Sequence, residues 1–90
     1  MFVSVVCDFA NDDHRVSVHD LLIQYGFKNI FSNVYETASL KEDHLLRLKR
    51  DIDRATDSYD KIRFYQFPME ETFVITFLSG KRWRKTIVKK

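Results

Sequence analysis

Asp8, Asp12, Asp13, His14 and Arg15 are of the types that do chemistry, and they fall close together near the N-terminus. Clustered carboxylates could hold a hard divalent cation such as Mg2+, which completes its shell with waters and substrate phosphate. Such an ion orients a water and offsets the charge that builds on a phosphodiester during hydrolysis. His14 could act as a general base, and Arg15 could contact a phosphate. Asp12 and Asp13 have a second explanation, since acids in the first turn of a helix are favoured by its dipole. Asp8 is different. It closes the apolar run Phe2-Val3-Ser4-Val5-Val6-Cys7, and Asp is a poor strand former. Either the strand simply ends there in water, or it delivers a carboxylate to a rigid edge. One carboxylate is a thin site, but twofold symmetry would turn Asp8 into a facing pair able to share one Mg2+.

A second group lies at the other end of the chain. Residues 81–90 (KRWRKTIVKK) carry six Lys/Arg and no acid, which leaves the first 80 residues with nine bases and 13 acids. A charge split this sharp points to an anionic partner at the C-terminal end. Trp83, Ile87 and Val88 lie inside the basic run, so it is more than a solubilising tail. Arg82, Arg84 and Lys85 are the candidates for phosphate contact, with the strand setting their spacing. Nothing in the run suggests base-specific reading.

Other chemistries are excluded. There is no Gly-rich phosphate loop, no Cys/His metal spacing and no nucleophile-plus-base motif. The one cysteine, Cys7, sits in an apolar run and reads as a core residue. A disulfide framework is therefore excluded, and a reducing compartment, the cytoplasm, is expected. No stretch reads as a membrane span or as a signal peptide, so a membrane role is not expected.

The elements that must position these residues follow from periodicity. A strand over residues 2–8 places Phe2, Ser4, Val6 and Asp8 on one face and Val3, Val5 and Cys7 on the other. Asn11 is a good N-cap for a helix running to Tyr25, with Val18, Leu21, Leu22 and Tyr25 on its apolar face and Gly26 as its stop. Residues 27–37 form a β segment, one strand or two short ones split at Ser32-Asn33. Ser39 and Glu42 form a capping box that opens a second helix, with Leu45, Leu48, Ile52 and Ala55 inward. Tyr59 to Phe67 is a strand ended by Pro68. Thr72 to Leu78 is another, Ser79-Gly80 turns the chain, and Lys81 to Val88 forms the last strand.

The order β-α-β(β)-α-β-β-β in 90 residues predicts one domain of the α+β class: a ferredoxin-like sandwich with two helices on one face of a mainly antiparallel sheet. Two helices cover only one face. Eight Phe, four Tyr and one Trp are more rings than such a core holds, so a homodimer through the other face is expected. The segment 79–90 is expected as a basic C-terminal strand at that interface.

Several segments resemble the small CRISPR-associated protein two family. They are FVSVVCDF, a helix with the early Arg15, LLIQYGFKNIFSNVYE, and the strand Asp60-Lys61-Ile62-Arg63-Phe64-Tyr65. The resemblance covers about residues 2–67, with Lys28-Asn29-Ile30 and the inserted Asn33 as departures. It implies a homodimer packed sheet to sheet that binds duplex DNA and bridges a CRISPR integrase during spacer acquisition. It also implies a magnesium-dependent endonuclease on RNA or DNA, with the metal-binding carboxylate at Asp8 alone. Two other readings remain: a toxin-like ribonuclease of the related virulence-associated group, and a non-catalytic DNA-binding scaffold.

Overall fold

The structure, a computed structural model, describes residues 1–89 apart from the side chain of Met69. The elements are β1 (Phe2–Asp8), α1 (Asp12–Gln24), β2 (Lys28–Phe31), β3 (Val34–Thr37), α2 (Glu42–Ala55), β4 (Lys61–Met69), β5 (Thr72–Ser79) and β6 (Arg82–Lys89). They form one six-stranded sheet in the order β2-β3-β1-β4-β5-β6, antiparallel throughout. Helix α1 carries the chain from β1 past β3 to β2, and α2 carries it from β3 past β1 to β4. These two interleaved split βαβ units are the ferredoxin-like arrangement, here extended by the β5-β6 meander.

The period-two pattern of β1 decides which face is core. Val3 and Val5 are fully buried and Cys7 nearly so, in one cluster with Val18 and Leu22 of α1 and Leu45, Leu48 and Ile52 of α2. Ile62, Phe64 and Leu78 complete the cluster from β4 and β5. The same alternation sends Phe2, Ser4, Val6 and Asp8 to the other face, where Phe2 is 36% and Val6 39% exposed. Phe2 packs edge-on against Phe67, and Phe67 stacks on Phe73. The Arg63 guanidinium lies over the rings of Tyr65 and Phe77. This apolar face has no helix on it.

Local chemistry sets the boundaries. The Asn11 side chain accepts the His14 N–H at 2.8 Å, as an N-cap should. Gly26, at φ 91°, stops α1 after Tyr25 in the left-handed conformation. Residues 27–37 do split, at a tight turn in which Ser32 has φ 45°. The turn before β6 is Gly80-Lys81, with φ 61° and 60°, one residue later than expected. Two positive φ values in a two-residue loop give the primed turn that matches strand twist.

Two expectations are corrected. The Ser39/Glu42 capping box does not form: the N-cap of α2 is Lys41, with no side-chain hydrogen bond. The reason is that Leu40 exchanges hydrogen bonds with the N-terminus, its N–H to the Met1 carbonyl and its carbonyl to the Met1 amine, each at 2.9 Å. That pairing draws Leu40 along the start of β1 rather than into a cap. Pro68 does not end β4, which runs from Lys61 rather than Tyr59 and continues to Met69. The β1 ladder finishes at the Phe2/Phe67 pair, and the β4–β5 register shifts between Gln66 and Met69. A proline there is outside the regular ladder on both sides.

Candidate functional site

Asp8 stands where β1 ends, exposed, on the uncovered face of the sheet. Its backbone is held on one side by the β4 ladder, with Lys61 as its register partner, while the β3 ladder ends at Val6 and only the Cys7 N–H reaches across to the Asn33 carbonyl at 3.0 Å. Among the described residues its carboxylate has neither an ion pair nor a hydrogen bond. A rigid strand thus presents a carboxylate with all its lone pairs available, which fits a hard cation that takes one or two carboxylates and otherwise waters.

Immediately behind it lies a carboxylate with the opposite character. Asp60, at 0% exposure, precedes Lys61 and receives three hydrogen bonds. Ala10 N–H donates to Oδ1 at 2.9 Å; Asp57 N–H at 3.0 Å and His14 Nδ1 at 2.7 Å donate to Oδ2. A carboxylate only accepts, so His14 carries its proton on Nδ1 in this contact. Burial alone would raise the Asp60 carboxyl, but the Ala10 and Asp57 N–H groups and His14 more than offset it, and its pKa is lowered. These bonds join the β1–α1 loop, which follows Asp8, to the α2–β4 loop.

His14, Asp57 and Asp60 place donor atoms within 4.8 Å of one another, a grouping compatible with a metal ion. In this structure the group works as a latch: the Asp60 oxygens are taken by N–H donors, and a protonated Nδ1 has no lone pair to give. An imidazole in the set also suits transition metals better than Mg2+. The oxygen chemistry of magnesium is better met at Asp8.

Sequence reasoning placed His14 on a helix surface and did not single out Asp60. Asp60 did lie in the Asp-x-Ile-Arg-Phe-Tyr segment, but its role depends on two loops meeting 46 to 50 residues apart in the chain. Asp12 and Asp13 are first-turn acids, as the dipole predicts. Asp12 also pairs with Arg15, Oδ1 to Nε at 2.8 Å, and the hydrogen bond from Arg15 lowers its pKa. Arg15 is engaged through Nε alone and lies 43% exposed, so its fork can still meet an anion.

The basic strand divides by alternation. Register carries the row Asp8, Lys61, Ser79, Arg82 across the open face, and beside it Val6, Arg63, Phe77, Arg84. Arg82 is three strands from Asp8, roughly 14 Å at the usual strand spacing. Lys61 and Arg63, which sequence reasoning did not select, lie between them. Lys85 is on the other face, with Trp83 and α2, and so stands apart from the two arginines. Strand β6 pairs with β5 of its own chain from Arg82 to Lys89; Lys90, the last residue of the basic segment, lies outside the described residues. Cys7 is no nucleophile here, since burial pushes its thiol up to about 12.

The family model described as CRISPR associated protein Cas2 matches residues 1–75. That span contains Asp8, Arg15 and the Asp60 latch and stops before β6. No curated protein and no solved structure matches the chain. No helix among the described residues is long and apolar enough to cross a membrane.

Proposed function

Because this chain belongs to the CRISPR associated protein Cas2 family, and so has a CRISPR-associated role, we propose that it is the adaptation subunit: a cytoplasmic homodimer that holds duplex DNA and bridges the integrase during spacer acquisition. In this reading two copies pack their uncovered sheet faces together, burying Phe2, Val6, Phe67 and the rings that flank Arg63. The two Asp8 carboxylates then form one Mg2+ site with endonuclease activity on a DNA or RNA phosphodiester. The observation that carries the proposal is Asp8 itself, a carboxylate without a partner, on a rigid strand end, beside an apolar face without a cover.

The chain's own contribution is positioning and charge. The β4 ladder and the Asp60 latch hold the Asp8 corner without needing anything bound. Lys61, Arg82 and Arg84 offer fixed cations to successive phosphates, and Arg15 adds another from the helix start. Mg2+ on Asp8 would supply a polarised water and offset phosphoryl charge. The latch supports a second reading, a scaffold without catalysis, because it occupies the oxygens of Asp60, the buried acid at the Asp8 corner.

The test is cleavage of labelled RNA and duplex DNA in Mg2+ by the wild type and by Asp8→Ala. Loss of cleavage in the variant, with duplex affinity retained, supports the nuclease site. Equal cleavage by both removes Asp8 as the metal ligand, and no cleavage by either leaves the scaffold. Co-purification with a CRISPR integrase tests the bridging role.

A further inference from the structure

On the helix side of the sheet, away from Asp8, a groove of about 470 Å3 separates α2 from β6. The two helices reach as far as β4 and β5, so the inner face of β6 is left to form one wall. Leu46 lines one side and Trp83 the other. The indole is fixed: its Nε1 donates to Asp53 Oδ2 at 2.8 Å, and it packs against Phe64 with centroids 5.9 Å apart. It stays 37% exposed toward solvent.

The charges of this groove do not balance. Lys49, Arg50, Arg54, Arg84 and Lys85 line it, and among the described residues none is paired with an acid. The one acid present, Asp53, is already satisfied by Trp83 and by Lys81 Nζ at 2.6 Å. Lys49 lies half under the surface with its Nζ 5.5 Å from the Phe64 ring centre and 5.9 Å from that of Trp83. Burial, and then the charge of Lys85, push its amine down to about 8. An ammonium beside two aromatic rings, with a second lysine lining the same groove and no acid paired to either among the described residues, describes a site that an anion would complete.

We propose that this groove binds an unpaired nucleotide of a nucleic-acid strand, its base against the indole of Trp83 and its phosphate on Lys49 and Lys85. Every base has a π face, so an aromatic wall with flanking cations accepts single strands irrespective of sequence. A duplex buries its base faces and cannot use the indole. An acidic peptide could satisfy the amines but would leave the aromatic wall without a matched surface. Alternation sets Trp83 and Lys85 apart from Lys61 and Arg82 of the duplex-binding reading, which belong to the opposite face; Arg84, between Trp83 and Lys85 in the strand, also lines the groove.

Trp83 is the chain's only tryptophan, so its fluorescence reports on the groove alone. Titration of the full chain with a short oligothymidylate at low salt should quench that signal saturably. The double variant Lys49→Gln/Lys85→Gln should raise the apparent Kd by at least about 10-fold, with an unchanged circular dichroism spectrum. Lys85→Gln alone, at an exposed position, should raise it several-fold and keeps the test intact if the double variant folds poorly. Absence of quenching, or equal affinity of the variants, overturns the proposal. So does equal quenching by a blunt duplex of the same charge, which would mark a general polyanion surface. Equally tight quenching by polyglutamate would reassign the groove to an acidic peptide. Binding of a labelled duplex to Lys61→Ala/Arg82→Ala is measured alongside; its loss with oligothymidylate binding intact separates the two faces, and loss of oligothymidylate binding with duplex binding intact overturns the assignment of the groove.

Discussion

Asp8 closes β1 and Asp60 immediately precedes the neighbouring strand β4 at the same corner of the sheet, and the two carboxylates are built in opposite ways. Asp60 is fully buried, accepts three hydrogen bonds and has a lowered pKa. Asp8 is exposed and bonded to nothing among the described residues. A buried carboxylate is tolerated only when its lone pairs are satisfied, and once satisfied it ties its donors together. An unsatisfied carboxylate adds nothing to the fold but keeps its coordination capacity. The difference teaches that rigidity and reactivity at this corner are assigned to different side chains, with Asp60 holding the loop that follows Asp8 and Asp8 projecting from the strand end.

The comparison breaks most directly at Asp60. Asp60→Ala leaves Ala10 N–H, Asp57 N–H and His14 without their acceptor and should destabilise the protein by about 3 kcal/mol, lowering Tm by more than ~10 °C. Calorimetry checks it; a loss under ~0.5 kcal/mol, the range of ordinary surface changes, would mean the latch is ornamental. Because its folded pKa is depressed, Asp60 stabilises above its unfolded pKa of roughly 3.9, and that stability is lost as pH falls through the lower folded value. Acid unfolding should therefore be less steep in Asp60→Asn.

Asp8→Ala should change stability by no more than ~0.5 kcal/mol while abolishing magnesium-dependent cleavage. A large stability loss would contradict its status as an unpartnered side chain. Next in size, Arg82→Ala/Arg84→Ala should reduce the slope of log affinity for duplex DNA against log salt by about 2, near 0.9 per phosphate contact. An unchanged slope would make those arginines structural.

The smallest effect concerns Lys49, on the far side of the sheet. Its amine titrates at about 8 in the fold, below the usual lysine value. Between about pH 8 and ~10.4 the unfolded chain binds the extra proton, so stability should rise with pH across that window. The neighbouring charges are Lys85, Arg50 and Arg54, with Asp53 engaged by Lys81. Shielding by water limits the gain to on the order of 1–2 kcal/mol. Lys49→Met should flatten the rise, as denaturant titration at a series of pH values would show.

Much of this architecture is written in local pattern. Alternation in Phe2–Asp8 places three side chains inward and Asp8 outward, and the Val18/Leu22 and Leu45/Leu48/Ile52 spacings orient both helices. The same alternation separates Lys85 from Arg82 and Arg84. What was hidden depends on contacts distant in sequence. Asp60 becomes a latch only when the β1–α1 and α2–β4 loops meet, and Ser39 loses its capping role only because Leu40 is claimed by Met1. Asp53 was not singled out from the sequence, because its role arises only when the β5–β6 hairpin brings Lys81 and Trp83 to it. Side chains whose fate is settled by a partner some 30 or more positions away carry no local signature.

Cys7 is buried next to the end of β1 in the main core cluster, and burial pushes its thiol up to about 12. Alkylating reagents attack the thiolate, so the folded chain should be nearly inert to them at neutral pH. Reaction must wait for β1 to leave the sheet, which in a single cooperative core means the opening of the whole domain. The chain thus contains a one-residue clock for its own unfolding, and iodoacetamide labelling of the unmodified protein would time how often that opening occurs.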